Sequence, residues 1–195
     1  MSGVSRYHPL LVTLHWLLAV LLVAALALGA LALVEIPNSD PMKLEALRSH
    51  MAGGGLILVL MLVRLLVRAR SAHPAPATAG HPLLDRLAWA SHRLFYAVVL
   101  ALPASGLAMA LQMNVPAVVF AHDGSLPPDF WIFPVRWVHY AIARLLMGLI
   151  VLHVAGALYH AVVLRDGLLR RMAFGRRVIR AAAPANHGSL AKVRP

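Results

Sequence analysis

The sequence predicts an all-α membrane protein, a bundle of four transmembrane helices. Three observations predict it: 61% of the 195 residues are hydrophobic, only 13% are charged, and the mean hydropathy is +0.76. Such a chain is too apolar for an ordinary soluble domain and is long enough for about four spans. We expect residues 1–180 to form one transmembrane domain and residues 181–195 a disordered cytoplasmic tail.

The first predicted span covers residues 10–34 and carries His15. Its length of about 25 apolar residues is sufficient to cross a hydrocarbon core of about 30 Å. The run is longer than the apolar region of a signal peptide, so we expect the helix to be retained. The connector that follows contains two prolines and polar turn formers, which predicts a position outside the membrane.

The second predicted span covers residues 47–67. His50 lies near its start, Gly53–Gly55 follow it, and Arg64 lies near its end. Three successive glycines weaken a helix. Their presence in a span favours the close approach of another backbone or of a flat ligand.

The third predicted span covers residues 87–113, with His92 near its start and Pro103 inside. A proline within a membrane helix removes one backbone hydrogen bond and commonly produces a kink. An aromatic group comprising Phe130, Trp131, Phe133 and Trp137 follows in the next loop. Such aromatic residues typically mark the level of the lipid headgroups.

The fourth predicted span covers residues 137–164 and carries His139, His153 and His160. The 14-residue step from His139 to His153 returns the side chain to within about 40° of its first direction, and the two rings are then separated by roughly 21 Å. A histidine inside a hydrophobic span is costly, and it predicts a functional site.

The positive residues predict the orientation. Most of the 18 Lys and Arg residues lie in the N-terminal segment, between spans two and three, and in the C-terminal tail. Both termini are therefore predicted to be cytoplasmic. In that orientation His15 and His153 lie at one inner depth, whereas His50 and His139 lie at one outer depth.

Two imidazoles from different helices at one depth can hold the iron of a porphyrin and leave no open coordination position. Such a site transfers single electrons. The chain has no cysteine, which excludes disulfides and covalent c-type attachment. Arg64, at the inner depth, is a candidate partner for a haem propionate.

Other functions remain open at this point. Any one of these histidines can equally be a hydrogen-bonded residue of the bundle, and a metal or proton transporter also uses buried histidines. One zinc ion cannot bind all four histidines, because the two depths differ by roughly 21 Å. The net charge of +11 comes without a nucleic-acid recognition motif, so nucleic acid binding is not expected.

Four segments resemble the bacterial cytochrome b561 family, small four-helix di-haem proteins of the inner membrane. They are YHPLLVTLHWL, RSHMAGGGLILVLMLVRLLVR, SHRLFYAVVLALPASGLAM and WVHYAIARLLMGLIVLHVAGALYH. The resemblance covers about residues 6–172. It implies two b-type haems whose iron ligands are His15, His50, His139 and His153.

Members of this family include a superoxide oxidase, which passes electrons from superoxide at the outer face through both haems to ubiquinone. The resemblance therefore implies a superoxide:ubiquinone oxidoreductase or another electron carrier. Lys43, Arg48 and Arg136 would attract an anionic donor, or else anchor the protein at the interface. Other relatives are haem-bearing membrane subunits of hydrogenases and other dehydrogenases, so a partner subunit is the alternative.

His160 and His92 are the candidates for the quinone site, since an imidazole can hydrogen-bond a quinone carbonyl and carry its proton. The alternative for both is an ordinary interfacial histidine. Arg144 is interpreted as snorkelling to the interface. The other histidines are interpreted as surface residues, namely His8, His73, His81, His122 and His187.

Overall fold

The computed structural model of the protein describes residues 3–180. Within these residues, four helices are long and apolar enough to cross a membrane. The predicted all-α fold with four membrane helices is thereby confirmed. The tail predicted for residues 181–195 lies outside the described residues, and so does His187.

The elements follow one another in a simple order. They are β1 (Gly3–Val4), α1 (Pro9–Ala27), a π-helical turn (Leu28–Ala32), α2 (Pro41–Arg70), α3 (Pro82–Gln112), α4 (Val115–Phe120), α5 (Pro134–Tyr159), a second π-helical turn (His160–Leu164), a 3-10 helix (Leu168–Met172) and β2 (Ile179–Arg180). The spanning helices are α1 and α5 with their π-helical turns, together with α2 and α3. The residue Pro103 lies inside α3, which continues through it.

All four spanning helices begin at a proline and earlier than predicted, α1 by one residue and α2, α3 and α5 by about a turn or more. Proline is favoured at the first helical position because its missing N–H has no intrahelical partner there. Side chains at the preceding position complete the first turns: His8, Asp40 and His81 accept hydrogen bonds from the backbone N–H groups of residues 10, 42 and 83. The sequence prediction started α2, α3 and α5 at the first apolar run and so missed these turns.

The long helices pack in the order α1, α2, α3, α5. A central hydrophobic core joins all four, and Leu146 of α5 is fully buried within it. Its other buried members are Leu18, Ile57, Met61, Val98, Val99 and Leu149. This core fills the middle of the bundle, whereas the predicted functional histidines lie towards its two ends.

The two ends of the bundle are built differently. At one end, which we call the terminal end, the N-terminal and C-terminal segments of the described chain meet, and β1 pairs antiparallel with β2. The Arg6 guanidinium donates to the carbonyls of Arg170, Ala173 and Phe174. Trp16 Nε1 donates to the Met172 carbonyl. These contacts hold the two ends of the described chain together. At the opposite end, which we call the loop end, a helix that the sequence did not predict, α4, packs against α2 and α3 with Val119 fully buried.

Lys43 is buried, although the sequence suggested a cation at the surface. It is only 3% exposed, and its Nζ donates to the carbonyls of Leu33 at 2.6 Å and Ile36 at 2.7 Å. These carbonyls follow the π-helical end of the first span, where carbonyl groups lack intrahelical donors. The ammonium group of α2 therefore satisfies carbonyl groups at the end of the first span. The interpretation of Lys43 as an attractor of an anionic donor stays a prediction.

Replacing Lys43 with methionine should lower the free energy of unfolding by about 2 kcal/mol, because two buried carbonyls lose a charged donor. The measurement is thermal unfolding in detergent followed by tryptophan fluorescence. The control is Met42→Ala at the neighbouring residue, which is 68% exposed. Equal melting temperatures for the two variants would show that the Lys43 ammonium does not stabilise this end.

Candidate site: two pairs of facing histidines

The structure brings four of the predicted histidines together in two pairs. His15 of α1 faces His153 of α5, with ring centroids 6.2 Å apart and ring planes at 68°. His50 of α2 faces His139 of α5, with ring centroids 6.3 Å apart and ring planes at 80°. The first pair lies towards the terminal end and the second towards the loop end, with Leu146 and Leu149 of the central core between their levels on α5.

The spacing of the rings matches a metal ion held between them. An imidazole nitrogen lies about 2 Å from a metal that it ligates, so two imidazoles on opposite sides of one iron have ring centroids roughly 6 Å apart. Among the described residues, no group of three or more His, Asp or Glu side chains could hold a metal ion. Each pair therefore presents a two-nitrogen donor set of the kind that completes the coordination of haem iron. Both pairs fit that group, although their role as ligands stays a prediction.

The loop-end pair is seated on two glycines. A Cβ added to Gly29 would lie 3.2 Å from His50 Cε1, and one added to Gly106 of α3 would lie 3.1 Å from His139 Cε1. Each ring therefore rests against the backbone of a helix other than its own. On the same side of the ring, the Ser105 hydroxyl lies 3.0 Å from His139 Nδ1, while His50 Nδ1 is buried without a hydrogen-bond partner.

The terminal-end pair has more accessible neighbours. The ring of His153 contacts Phe95 at 5.4 Å and the exposed His92 at 5.6 Å between centroids, both on α3. Arg64 is half-buried and donates to the carbonyl of Leu11, one turn before His15. Arg64 thus lies at the level of this pair, where the sequence placed it, and its predicted contact with a propionate stays a prediction.

No neighbouring helix packs against the three successive glycines of α2. A Cβ at Gly53, Gly54 or Gly55 would meet no atom within 4 Å. Of the two explanations offered for the three successive glycines, the close approach of another backbone is wrong. The approach of a flat ligand stays a prediction.

The three cations predicted near the loop end have different surroundings. Lys43 is buried against carbonyls, as described above. Arg48 pairs with Glu45 at 2.6 Å and donates to the Val119 carbonyl of α4. Arg136 lies over the Trp131 ring, 4.2 Å from its centroid, and within electrostatic range of both rings of the loop-end pair. Arg136 is therefore the best placed of the three to act on an anion there.

His160 lies in the π-helical turn at the end of α5, where its Nδ1 donates to Asp166 Oδ2 at 2.6 Å. Asp166 Oδ1 accepts from the Leu168 N–H. The hydrogen bond from His160, followed by that from Leu168, holds the pKa of Asp166 below its usual range. Asp166 also lines a groove of about 400 Å³ with Arg165 and Arg170.

Several residues of the site were not found from the sequence. Gly29, Ser105 and Gly106 contact the loop-end rings, but each is a small residue within an apolar run and carries no periodic signal. Arg144 is exposed and lies over Tyr140, which is compatible with the interfacial position expected of it. Of the histidines expected at the surface, His8 and His81 cap the N-termini of α1 and α3, and His73 stacks on Tyr7.

Comparison with known proteins gives the same family along nearly the whole chain. Residues 6–175 match the family described as prokaryotic cytochrome b561. The chain is 27% identical over 174 residues to a probable superoxide oxidase CybB of Yersinia pestis, which covers 86% of this chain and 96% of that protein. It is also 27% identical over 176 residues to cytochrome b561 homolog 2 of Escherichia coli strain K12, which covers 86% of this chain and 91% of that protein.

Replacing Asp166 with asparagine should speed amide hydrogen exchange in residues 165–172, because the turn loses the acceptor of His160. Since the pKa of Asp166 is lowered on folding, its stabilising effect is present at neutral pH and is lost as the pH falls through the lowered value. The exchange rate of residues 165–172 in the wild type should therefore approach that of the variant only at acid pH. Exchange is measured by mass spectrometry and corrected for the intrinsic pH dependence of amide exchange.

The matched control is Asp85→Asn, since Asp85 accepts hydrogen bonds from Thr78 and Ala79 in the linker between α2 and α3. It should speed exchange in the linker and leave residues 165–172 unchanged. Identical exchange of residues 165–172 in the wild type and in Asp166→Asn at neutral pH would contradict the structural role of the His160 and Asp166 pair.

Proposed function

Since the chain belongs to the prokaryotic cytochrome b561 family, a family of membrane electron-transfer proteins with b-type haem, we propose that it is a di-haem cytochrome that carries electrons from superoxide to ubiquinone. The observation that carries the proposal is the presence of two facing histidine pairs at two levels of one bundle. One pair would support a single haem. Two pairs, separated along α5 by roughly 21 Å, support redox centres near opposite faces of the membrane.

His15 and His153 are proposed to hold one haem, and His50 and His139 the other. Bound haem supplies one-electron redox chemistry, and ligation by two histidines leaves no open position at the iron. The side chains of the central core, such as Leu146 and Leu149, keep water out of the region between the pairs. Arg64 is positioned to neutralise a haem propionate at the terminal-end pair.

We place the protein in the bacterial inner membrane, with the terminal end in the cytoplasm. The support is the excess of Lys and Arg in the segments that meet at this end, including Arg6, Arg171 and Arg177. The loop end then faces outward, and the pair formed by His50 and His139 is the outer one. An electron donor is accordingly expected at the loop end and an acceptor at the terminal end.

Superoxide is the proposed donor, supported by the name of the Yersinia pestis relative and by Arg136. A cation beside a reaction site raises the local concentration and association rate of an anionic reactant. Each superoxide gives up one electron and leaves as O₂. Ubiquinone takes two such electrons and two protons to become ubiquinol, so two superoxide molecules are consumed for each quinone reduced.

The quinone site is proposed at the terminal end. Asp166 accepts the Nδ1 proton of His160. In the doubly protonated form of the ring, Nε2–H can then donate to a quinone carbonyl and deliver that proton. A shallow surface groove lined by Asp166 and Arg165 lies beside this histidine. His92, which contacts His153 and is exposed, is the second candidate for this role.

Replacing His153 with alanine should remove one haem and leave the other, and replacing His139 with alanine should do the same for the other pair. Each imidazole is one of two protein ligands to a single iron, so its loss disables one site. Haem content per chain is measured by absorption of the purified, reduced protein after expression with ample haem. The control is His81→Asn, which retains a helix-capping side chain outside both pairs.

Two haems retained in either alanine variant would contradict the assigned pairs. A wild-type protein without any haem b spectrum would contradict the electron-transfer function itself, and it would favour the alternative of a metal or proton transporter.

Replacing Arg136 with glutamine should slow ubiquinone reduction by superoxide about tenfold at low ionic strength, because a charge that steers the anion is lost. The difference should shrink as salt is added, since salt screens the attraction. The measurement is ubiquinol formation by the isolated protein during steady generation of superoxide. The control is Arg144→Gln, two turns along the same helix and exposed over Tyr140.

Equal rates of ubiquinol formation in the two arginine variants would show that Arg136 does not attract the donor. If haem-loaded wild type shows no rate above the spontaneous reaction, the protein requires a dehydrogenase or hydrogenase partner subunit as its electron donor.

A further inference from the structure

We propose that Ser105 of α3 is a positioning residue for His139, which it holds in the tautomer and orientation that an iron ligand needs. This inference rests on the proposed binding of haem by His50 and His139. It concerns a residue outside the two histidine pairs, and it follows from the hydrogen bonds around a single hydroxyl group.

The Ser105 hydroxyl has two partners in the structure. Its oxygen lies 2.8 Å from the carbonyl of Leu102 and 3.0 Å from His139 Nδ1. A carbonyl oxygen can only accept, so the single hydroxyl proton is donated to Leu102. The Ser105 oxygen is then the acceptor of the proton on His139 Nδ1. In a neutral imidazole this leaves Nε2 with a free lone pair, as iron ligation requires.

Gly106 provides a second contact for the same ring. A Cβ at this position would lie 3.1 Å from Cε1 of His139 and 3.5 Å from its Nδ1. The absence of a side chain therefore lets the imidazole lie directly against α3, beside the Ser105 hydroxyl. Two adjacent residues thus act on the His139 ring. Ser105 accepts the Nδ1 proton, and Gly106 leaves space for the edge of the ring.

The other histidines of the two pairs have no equivalent of Ser105. In residues 3–180, His139 is the one paired histidine whose ring nitrogen has a hydrogen bond to a side chain. Its partner His50 has a buried Nδ1 without a hydrogen-bond partner, next to Gly29. The loop-end pair is therefore asymmetric, and Ser105 is the one hydroxyl placed to set the strength of a ligand.

The asymmetry has a measurable consequence. An acceptor at the non-ligating nitrogen makes a histidine a more basic ligand, and a more basic ligand favours ferric over ferrous iron. Removing the acceptor should therefore favour the ferrous state. The expected size is that of a single hydrogen bond, about a three- to tenfold rise in the ferrous-to-ferric ratio at a fixed potential. For a one-electron couple a tenfold change corresponds to 59 mV.

The experiment is an optical redox titration of the full-length, haem-loaded protein with Ser105→Ala, Ser105→Thr and wild type compared. We expect one of two redox components to move to higher potential in Ser105→Ala, and that component to be the one lost in His139→Ala. Ser105→Thr keeps the hydroxyl and should titrate like the wild type. The control Ser91→Ala removes a serine whose hydroxyl makes the same kind of bond on the same helix, to the Ala88 carbonyl, and should leave the loop-end component unchanged.

Unchanged potentials in Ser105→Ala, with both haems bound, would overturn the inference. So would equal shifts in the alanine and threonine variants, because the change would then follow from packing and not from the hydroxyl. If Ser105→Ala does not accumulate with two haems, Ser105→Cys takes its place, since a thiol has similar size but is a weak acceptor. The haem content of wild type is measured first, so failure of haem binding is distinguished from failure of the Ser105 inference.

Discussion

The geometry of the candidate site depends on holding two pairs of imidazoles at one distance between different helices. The two ring pairs have nearly the same separation, 6.2 and 6.3 Å, although they join different helices. Both pairs share α5, whose histidines are 14 residues apart and so lie on nearly one face. This repeat requires α1 to approach α5 at one end and α2 to approach it at the other. The arrangement of the bundle is thus tied to the spacing of two residues in one helix.

A second constraint is the scarcity of acidic residues, seven against 18 Lys and Arg. Most cations in this chain cannot pair with a carboxylate, and many donate instead to backbone carbonyls. Lys43 closes the end of the first span, Arg64 joins α2 to α1, and Arg177 joins the C-terminal segment to residues 6 and 72. Carbonyl groups at helix ends need donors, so these cations stabilise contacts between segments of the fold.

The spanning helices and the histidine pairs could be predicted from the sequence because apolar runs and the helical repeat determine both. The three small residues around the loop-end rings could not, because their importance lies in contacts between helices distant in sequence. The surroundings of Lys43 could not be predicted for the same reason. Its charge suggested an exposed position, but the two carbonyls that surround it are visible only once α1 and α2 are packed. The predicted helices began too late in the sequence because the prediction followed apolar runs. The first turns, which start with a polar cap and a proline, lie before those runs.

The two ends of the bundle place different demands on the side chains near their histidine pairs. At the loop end both rings pack against glycine, and one of them lies within hydrogen-bond distance of a hydroxyl group on a neighbouring helix. At the terminal end His153 contacts Phe95 and an exposed His92, and a groove beside Asp166 lies near the same end. A tightly seated ring keeps its orientation when the site changes charge, which suits exchange of an electron with a small anion. An accessible imidazole beside a groove suits a larger acceptor that also takes up protons. The two ends therefore differ in the surroundings of their ring pairs more than in the pairs themselves, and this difference supports the proposed donor site at the loop end and the proposed acceptor site at the terminal end.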